Sequence, residues 1–363
     1  MIDDKNIFEI ETDSEVPDPE EVPIRERKVV TQPYDFNVDS LIIQIKNSTI
    51  FLKPLSERPD FQRKYVWNDK LASRLIESIL LNIPIPPCYL SQNEDYELDV
   101  IDGQQRLYSL FRFIENQFKL TSLEVIKELN GLRFHEIDHK LQRQIKTHTI
   151  RCVLITNESH PEVKFDVFER LNTNTAPLNA QELRNCIYRG SLNSLIKELS
   201  TDTNWLRILG KKAPDPRMRD EELILRFFAF KIKGIENYKT PQKHWLNEVA
   251  KDGRKLSTEE VNQFKEKWDR AIQNSLIWFN EKTCFRRPGA KVINRALFDL
   301  IMDFAERNST ALAQSSKNDF LEKYRQIIAN EEFQDLISRA VDHTSRTRRR
   351  FKLWNDAMDQ IGQ

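Results

Sequence analysis

The sequence predicts an α+β chain: a small mixed α/β domain followed by an all-α domain. Three observations carry this. Segments with strand character lie between about residues 88 and 155 and nearly vanish beyond about 190. From there to the C-terminus, stretches with apolar residues at helical spacing follow one another. Only 8 glycines occur in 363 residues, against a charged fraction of 31% rich in helix formers. The length suits two domains, or one domain with a large extension, and 39% hydrophobic residues supply a core. The chain divides as a flexible acidic arm over 1–35, a mixed domain over 36–190 and a helical domain over 191–363. The boundary at 190 is soft, because the helices expected between 161 and 189 fit either side.

Taken in order, the arm carries three prolines among acids between Asp13 and Pro23, a composition that disfavours packing. Order begins near Ser40 with a short helical turn and an extended piece at Ile50–Leu52. Asn68 is a good N-cap for a helix whose Leu71, Leu75 and Ile79, joined by Ile76 and Leu80, form one apolar face. That helix stops before Pro84, Pro86 and Pro87. Strands at Cys88–Leu90 and Tyr96–Ile101, joined by the polar turn Gln92-Asn93-Glu94-Asp95, make a hairpin. A helix follows over about 103–116, with Leu107, Leu110, Phe111 and Ile114 inward, and later a buried strand at Ile150–Ile155. A helix over 161–171, a polar loop Asn172–Thr175 and a helix from Asn179 close the mixed domain. Beyond it, Leu192–Leu199, Glu221–Lys233, Ser257–Phe279, Lys291–Arg307, Asp319–Ile327 and Arg346–Ile361 read as helices, and Phe264, Trp268 and Ile272 give the cleanest stripe.

Composition also excludes. A formal net charge of +0 removes any global basic field, so contact with nucleic acid would need a local patch. Cys88, Cys152, Cys186 and Cys284 are scattered without paired spacing, which suggests neither a zinc site nor a disulfide framework and suits a reducing cytoplasm. The first residues are acidic and lack the apolar core of a signal peptide. No apolar run approaches the roughly 18 residues of a membrane span.

The chemistry concentrates at Asp102-Gly103-Gln104-Gln105-Arg106, where a strand ends and a helix begins. Glycine there permits a tight turn and close backbone approach. The helix start offers unpaired N–H groups and the positive end of a dipole, which suits an anion. Arg106 sits in the first turn and can fork onto phosphate oxygens, with Gln104 and Gln105 as neutral donors and acceptors. Asp102 either holds magnesium beside phosphates or caps the helix. Equally, Arg106 could be a structural ion pair in an ordinary strand-turn-helix.

The pieces FQRKYVW, LIESILLNIPIPPCYL and DVIDGQQRLYSLFRF fall between Phe61 and Phe113 and are followed by FERLNTNTAPLNAQELRNCIY, in an element order that covers about residues 40–190. In this combination they resemble the amino-terminal domain of GmrSD-type modification-dependent restriction systems, a DGQQR family of ParB/sulfiredoxin-like fold. The resemblance implies binding and hydrolysis of a nucleoside triphosphate, tied to defence against modified phage DNA, and phosphate chemistry adds Mg2+ as the expected metal. It assigns Asp102, Gly103, Gln104, Gln105 and Arg106 to the nucleotide turn, with Arg63 and Tyr65 from the first piece and Asn172 and Asn174 from the last. Arg63 would reach phosphate, whereas Trp67 fits a packing role better. Asp102, Arg106 and Glu182 would be catalytic, and Asp102 the metal ligand. Asn172 and Asn174 are equally well read as loop caps.

Other signals compete. His135-Glu136-Ile137-Asp138-His139 spells a zinc-protease pattern, but Asp138 reads as the N-cap of a helix starting between the histidines, which would misplace them. The turn lacks the cysteine that sulfiredoxin chemistry needs. Systems of the resembled type pair this domain with an HNH nuclease; His244 and His343 offer no such constellation, so a separate chain would supply it or this protein does not cut DNA. Arg346, Arg348, Arg349 and Arg350, near Lys352, Phe351 and Trp354, either track DNA phosphates or form a solvated face paired with the acidic arm. Two functions remain in view: an NTPase or nucleotide switch that regulates a restriction system, and a DNA-binding or partner-binding module that uses no nucleotide.

Overall fold

The computed structural model describes residues 29–52, 67–94, 96–159, 167, 179–359 and 361. The chain divides between Asn179 and Ala180 into two compact units. The arm up to residue 28, the piece holding Arg63 and Tyr65, all of the 161–171 helix but Val167, and the Asn172–Thr175 loop lie outside the described residues.

The first unit runs β1 (Thr31–Pro33), β2 (Phe36–Asn37), α1 (Val38–Lys46), β3 (Ile50–Phe51), α2 (Asp69–Leu80), β4 (Cys88–Gln92), β5 (Leu98–Asp102), α3 (Gln104–Ile114), α4 (His139–Thr147), β6 (Thr149–Ile150) and β7 (Cys152–Ile155). Five strands form one sheet in the order β1-β7-β4-β5-β3, and β2 pairs with β6. The expected hairpin is there: β4 is antiparallel to β5, and on its other side parallel to β7. Strand β5, Leu-Asp-Val-Ile-Asp, is buried along its first four residues, as an interior strand covered on both faces must be.

Several expectations need correction. The end of the arm is structured, because Thr31–Pro33 pairs antiparallel with β7 as an edge strand, a place where proline's missing N–H is tolerated. Helix α1 is full length, capped by Asn37 and burying Val38, Leu41, Ile42 and Ile45. In α2, Leu71 is 43% exposed, and the inward stripe instead joins Ala72, Leu75, Ile76 and Ile79. In α3, Phe113 takes the fully buried place, while Phe111 and Ile114 are only half-buried. The strand expected over 150–155 breaks at Arg151, since β6 and β7 pair with different partners.

Two polar side chains on the buried face of α2 hold the segment after α3. The Glu77 carboxylate accepts the backbone N–H groups of Glu124, Val125 and Ile126 at 3.0, 2.8 and 3.2 Å. Ser73 Oγ accepts that of Thr121 at 2.9 Å. These donors lie in a stretch without regular pairing, so the carboxylate substitutes for a backbone partner.

The second unit is helical: α5 (Ala180–Ile187), α6 (Ser191–Ser200), α7 (Thr203–Leu209), α8 (Arg219–Lys233), α9 (Gln242–Asp252), α10 (Thr258–Trp278), α11 (Arg295–Arg307), α12 (Thr310–Ser315), α13 (Lys317–Ala329), α14 (Glu331–Leu336) and α15 (Thr344–Met358). Helix α5 belongs with this unit. A capping box between Ser257 and Glu260 starts α10, whose Trp268 meets Trp205, Phe227 and Phe228 in the core. Arg226 on α8, fully buried, donates to both carboxylate oxygens of Asp299 on α11, at 3.1 and 2.6 Å. No helix among the described residues is long and apolar enough to cross a membrane.

In the first turn of α8, Asp220 is buried. Its carboxylate accepts the N–H groups of Glu221 at 2.9 Å and Asp215 at 3.2 Å. Burial outweighs these bonds and pushes its carboxyl up to about 7.

Two stability predictions follow from these carboxylates. Glu77→Ala strands three part-buried N–H groups and should cost about 1–2 kcal/mol in chemical denaturation; a loss under about 0.5 kcal/mol, the level of an ordinary surface change, would show that the contacts carry no weight. Asp220 holds its proton more tightly folded than unfolded, so its stabilising share is complete below pH 3.8 and is lost as pH rises to about 7. Asp220→Asn should therefore gain melting temperature relative to wild type as pH is raised across that window, and a constant difference from pH 4 to 8 would refute the assignment.

Candidate functional site

Strand β5 delivers Asp102, Gly103 turns the chain, and α3 starts at Gln104. Gly103 adopts φ 96°, ψ 4°, a left-handed conformation in which a side chain is strained. Space forbids one as well. A Cβ there would overlap Cys88 Sγ and lie 3.0 Å from Cys88 Cβ and 3.3 Å from an Arg106 guanidinium nitrogen. Cys88 is in that place because the hairpin register pairs Tyr89 with Asp102, which sets the preceding residue against the turn. As N-cap, Gly103 contributes no side-chain acceptor to the first turn of α3. The helix therefore presents its positive end uncapped by side chain, the condition under which an anion is welcome.

The Arg106 guanidinium is engaged on two sides. One terminal nitrogen donates to Asp102 Oδ2 at 2.7 Å. The other donates to the Pro86 carbonyl and, at 3.4 Å, to that of Pro87. The arginine side chain is 14% exposed and that of Asp102 43%, so the carboxylate stands on the open side of the pair. Arg106 thereby ties the proline turn after α2 to the turn before α3. Gln105 Oε1 accepts the backbone N–H of Trp67 at 3.3 Å, and Trp67 packs on the core of the unit. Gln104 Nε2 is buried without a hydrogen-bond partner among the described residues. An amide left so is costly, and a ligand oxygen would satisfy it.

Beneath the turn, Cys88 and Cys152 face each other across the parallel β4–β7 pair, both buried and free. A hydrogen bond from the Cys152 thiol, with the Arg106 guanidinium nearby, holds the Cys88 thiol below the usual range despite burial. The same bond, with burial, pushes Cys152 up.

Asp102, Gly103, Gln104, Gln105 and Arg106 thus share one turn, as expected of consecutive residues, and Asp102 and Arg106 meet. Arg63, Tyr65, Asn172 and Asn174 lie outside the described residues. Glu182 lies on α5 of the helical unit, buried, with its carboxylate 3.0 Å from Arg217. Among the described residues no group of three or more His, Cys, Asp or Glu side chains is arranged to hold a metal ion. Asp102 still fits magnesium in the form it takes beside nucleotides, where one or two carboxylates and the substrate's phosphates suffice. The proline carbonyls and Cys88 were not singled out from sequence; counting the hairpin back from Asp102 would have found Cys88.

The competing signals resolve geometrically. His135 lies in a 3-10 turn, Phe134–Glu136, while His139 opens α4, with Asp138 as its cap accepting the Lys140 N–H at 2.7 Å. The histidines share no helix face. The C-terminal arginines are engaged inside the helical unit. Arg346 binds Asp335 Oδ2 at 2.7 Å, Arg348 the Glu236 carbonyl at 2.8 Å, and Arg349 both oxygens of Glu332 at 2.7 and 3.1 Å. Arg350 is fully buried, donating to the Val341 carbonyl and 3.5 Å from Asp299, so it presents nothing to a nucleic acid.

Residues 41–189 match the family model described as GmrSD restriction endonuclease, N-terminal domain. No curated protein and no solved structure matches the chain significantly.

Gly103→Ala should lower the melting temperature of the first unit by several degrees, through positive φ and overlap with Cys88 together. Combining it with Cys88→Ala should recover part of that loss. Equal melting of Gly103→Ala and wild type would remove the close approach as a constraint.

Proposed function

We propose, from the premise that residues 41–189 are a GmrSD-type N-terminal domain, that the chain binds a nucleoside triphosphate at the Asp102–Arg106 turn and hydrolyses it. The observation that supports this best is the uncapped start of α3 behind a left-handed glycine, with a carboxylate and a guanidinium side by side at its mouth. The first-turn N–H groups would receive phosphate oxygens. Arg106, with Arg63, would stabilise charge on the transferring phosphoryl group. Asp102 would hold Mg2+, whose chemistry is to neutralise phosphate charge. Asp102 would also position the attacking water. The protein would act as the regulatory or sensing component of a restriction system directed at modified phage DNA. The family usually pairs with a nuclease domain, and here a separate HNH-type chain would supply cleavage. A reducing cytoplasm suits the free thiols.

One observation favours a second reading. The guanidinium already has protein partners on both sides, which is what a purely scaffolding arginine would show. In that case the turn is structural and the chain is a DNA-binding or partner-binding module.

Phosphate release from ATP, GTP, CTP and UTP with magnesium separates the two. Under the NTPase reading, Arg106→Ala that still folds should lose about a hundredfold or more in turnover of the accepted nucleotide. Unchanged turnover would move the active site elsewhere, and no turnover or binding by wild type would favour the module.

A further inference from the structure

We infer that Asp102 and Arg106 form a latch, in which Asp102 competes with phosphate for the guanidinium and opposes anion binding until it is displaced. This rests on the nucleotide reading above and adds to it a resting state. The geometry that carries it is the division of labour on one side chain. The nitrogen facing the proline turn is committed to the Pro86 and Pro87 carbonyls, which anchor the arginine stem. The other terminal nitrogen, on Asp102 at 2.7 Å, is the one whose partner stands toward solvent.

A phosphate arriving at the start of α3 meets this carboxylate first. Two like-charged oxyanion groups cannot share the guanidinium edge without repulsion. Binding therefore requires exchange. The Asp102 side chain swings out, and a phosphate oxygen takes its place on the same nitrogen. Rotation about the aspartate side chain is open because that side chain is 43% exposed, whereas rotation of Arg106 is blocked by its carbonyl anchors and by the burial of its side chain, 14% exposed. Exchange leaves Asp102 beside the phosphates with its charge unpaired, where a divalent cation becomes its natural partner. The turn then reads as a two-position device: carboxylate on arginine without ligand, and phosphate on arginine with carboxylate on cation when loaded.

The latch predicts a sign that a simple metal ligand does not. Without magnesium, Asp102→Asn removes the competing charge but keeps shape and a hydrogen-bond acceptor. Nucleotide should then bind tighter than to wild type, by about fivefold if the pair is worth what partly exposed ion pairs are. With magnesium the advantage should vanish or reverse. The experiment is calorimetric titration of the four ribonucleoside triphosphates, with EDTA and then with magnesium, into the full chain as wild type, Asp102→Asn, Asp102→Ser and Arg106→Ala, each checked by circular dichroism. Tighter magnesium-free binding by either Asp102 variant, with binding lost in Arg106→Ala, establishes the latch. Equal or weaker magnesium-free binding by both Asp102 variants, while wild type binds, overturns the latch and leaves the nucleotide site standing. Binding by neither wild type nor any variant overturns both.

Discussion

A missing side chain governs the first unit. Because position 103 carries no Cβ, the Cys88 thiol can press against the turn, and because the thiol is there, β4 and β5 can close directly under α3. The same closure brings the proline carbonyls within reach of Arg106, which binds the entry of β4 to the exit of β5. Strand pairing, turn conformation and arginine position are one arrangement seen from three sides. Any change that lifts the turn off Cys88 would also move the guanidinium relative to the start of the helix.

The second unit is organised on another principle, burial of ions inside an aromatic core. Arg226 and Asp299 join α8 to α11 with no exposure on either side chain. Asp342, 3.3 Å from Arg226, and Arg350 extend the group to the segment before α15 and to α15 itself. Such pairs add little over well-packed apolar residues but are expensive to break, so they fix which helices belong together more than they raise stability. Arg350, at the arginine-rich end of the chain, belongs to this buried group, whereas Arg346, Arg348 and Arg349 pair with partners nearer the surface.

Much of this was legible beforehand. Asn68 and Asp138 announced helix starts that the structure bears out, and the proline run marked the entry to β4. The order of proline turn, hairpin and apolar helix places the DGQQR segment on a strand-to-helix turn, where the structure has it. What escaped detection was set by distant partners. Thr31–Pro33 has no strand signal of its own and is a strand because β7 offers it an edge. Leu71 satisfies the helical repeat yet lies on the exposed side, since a stripe drawn through Leu71, Leu75 and Ile79 sits slightly off the face that Ala72 centres. Short helices such as α12 and α14, six residues each, hold too few positions for a periodic signal. The pairing of Arg106 with main-chain carbonyls was invisible for a similar reason: carbonyls have no letter in a sequence.

The place of β4 between β5 and β7 has a kinetic side. Its partner on one flank follows within a few residues, but on the other Cys88 must wait for Cys152, and β1 for the same late strand. Bonds such as Val30 to Ser159 span 129 positions. Closing such loops is slow relative to forming the local contacts of a helical bundle. During synthesis the hairpin would emerge with one edge of β4 unsatisfied, and the turn at Gly103 would reach its final shape only after β7 had been made. The proposed nucleotide turn would thus be among the last parts of its unit to be completed, although it lies in the first third of the chain.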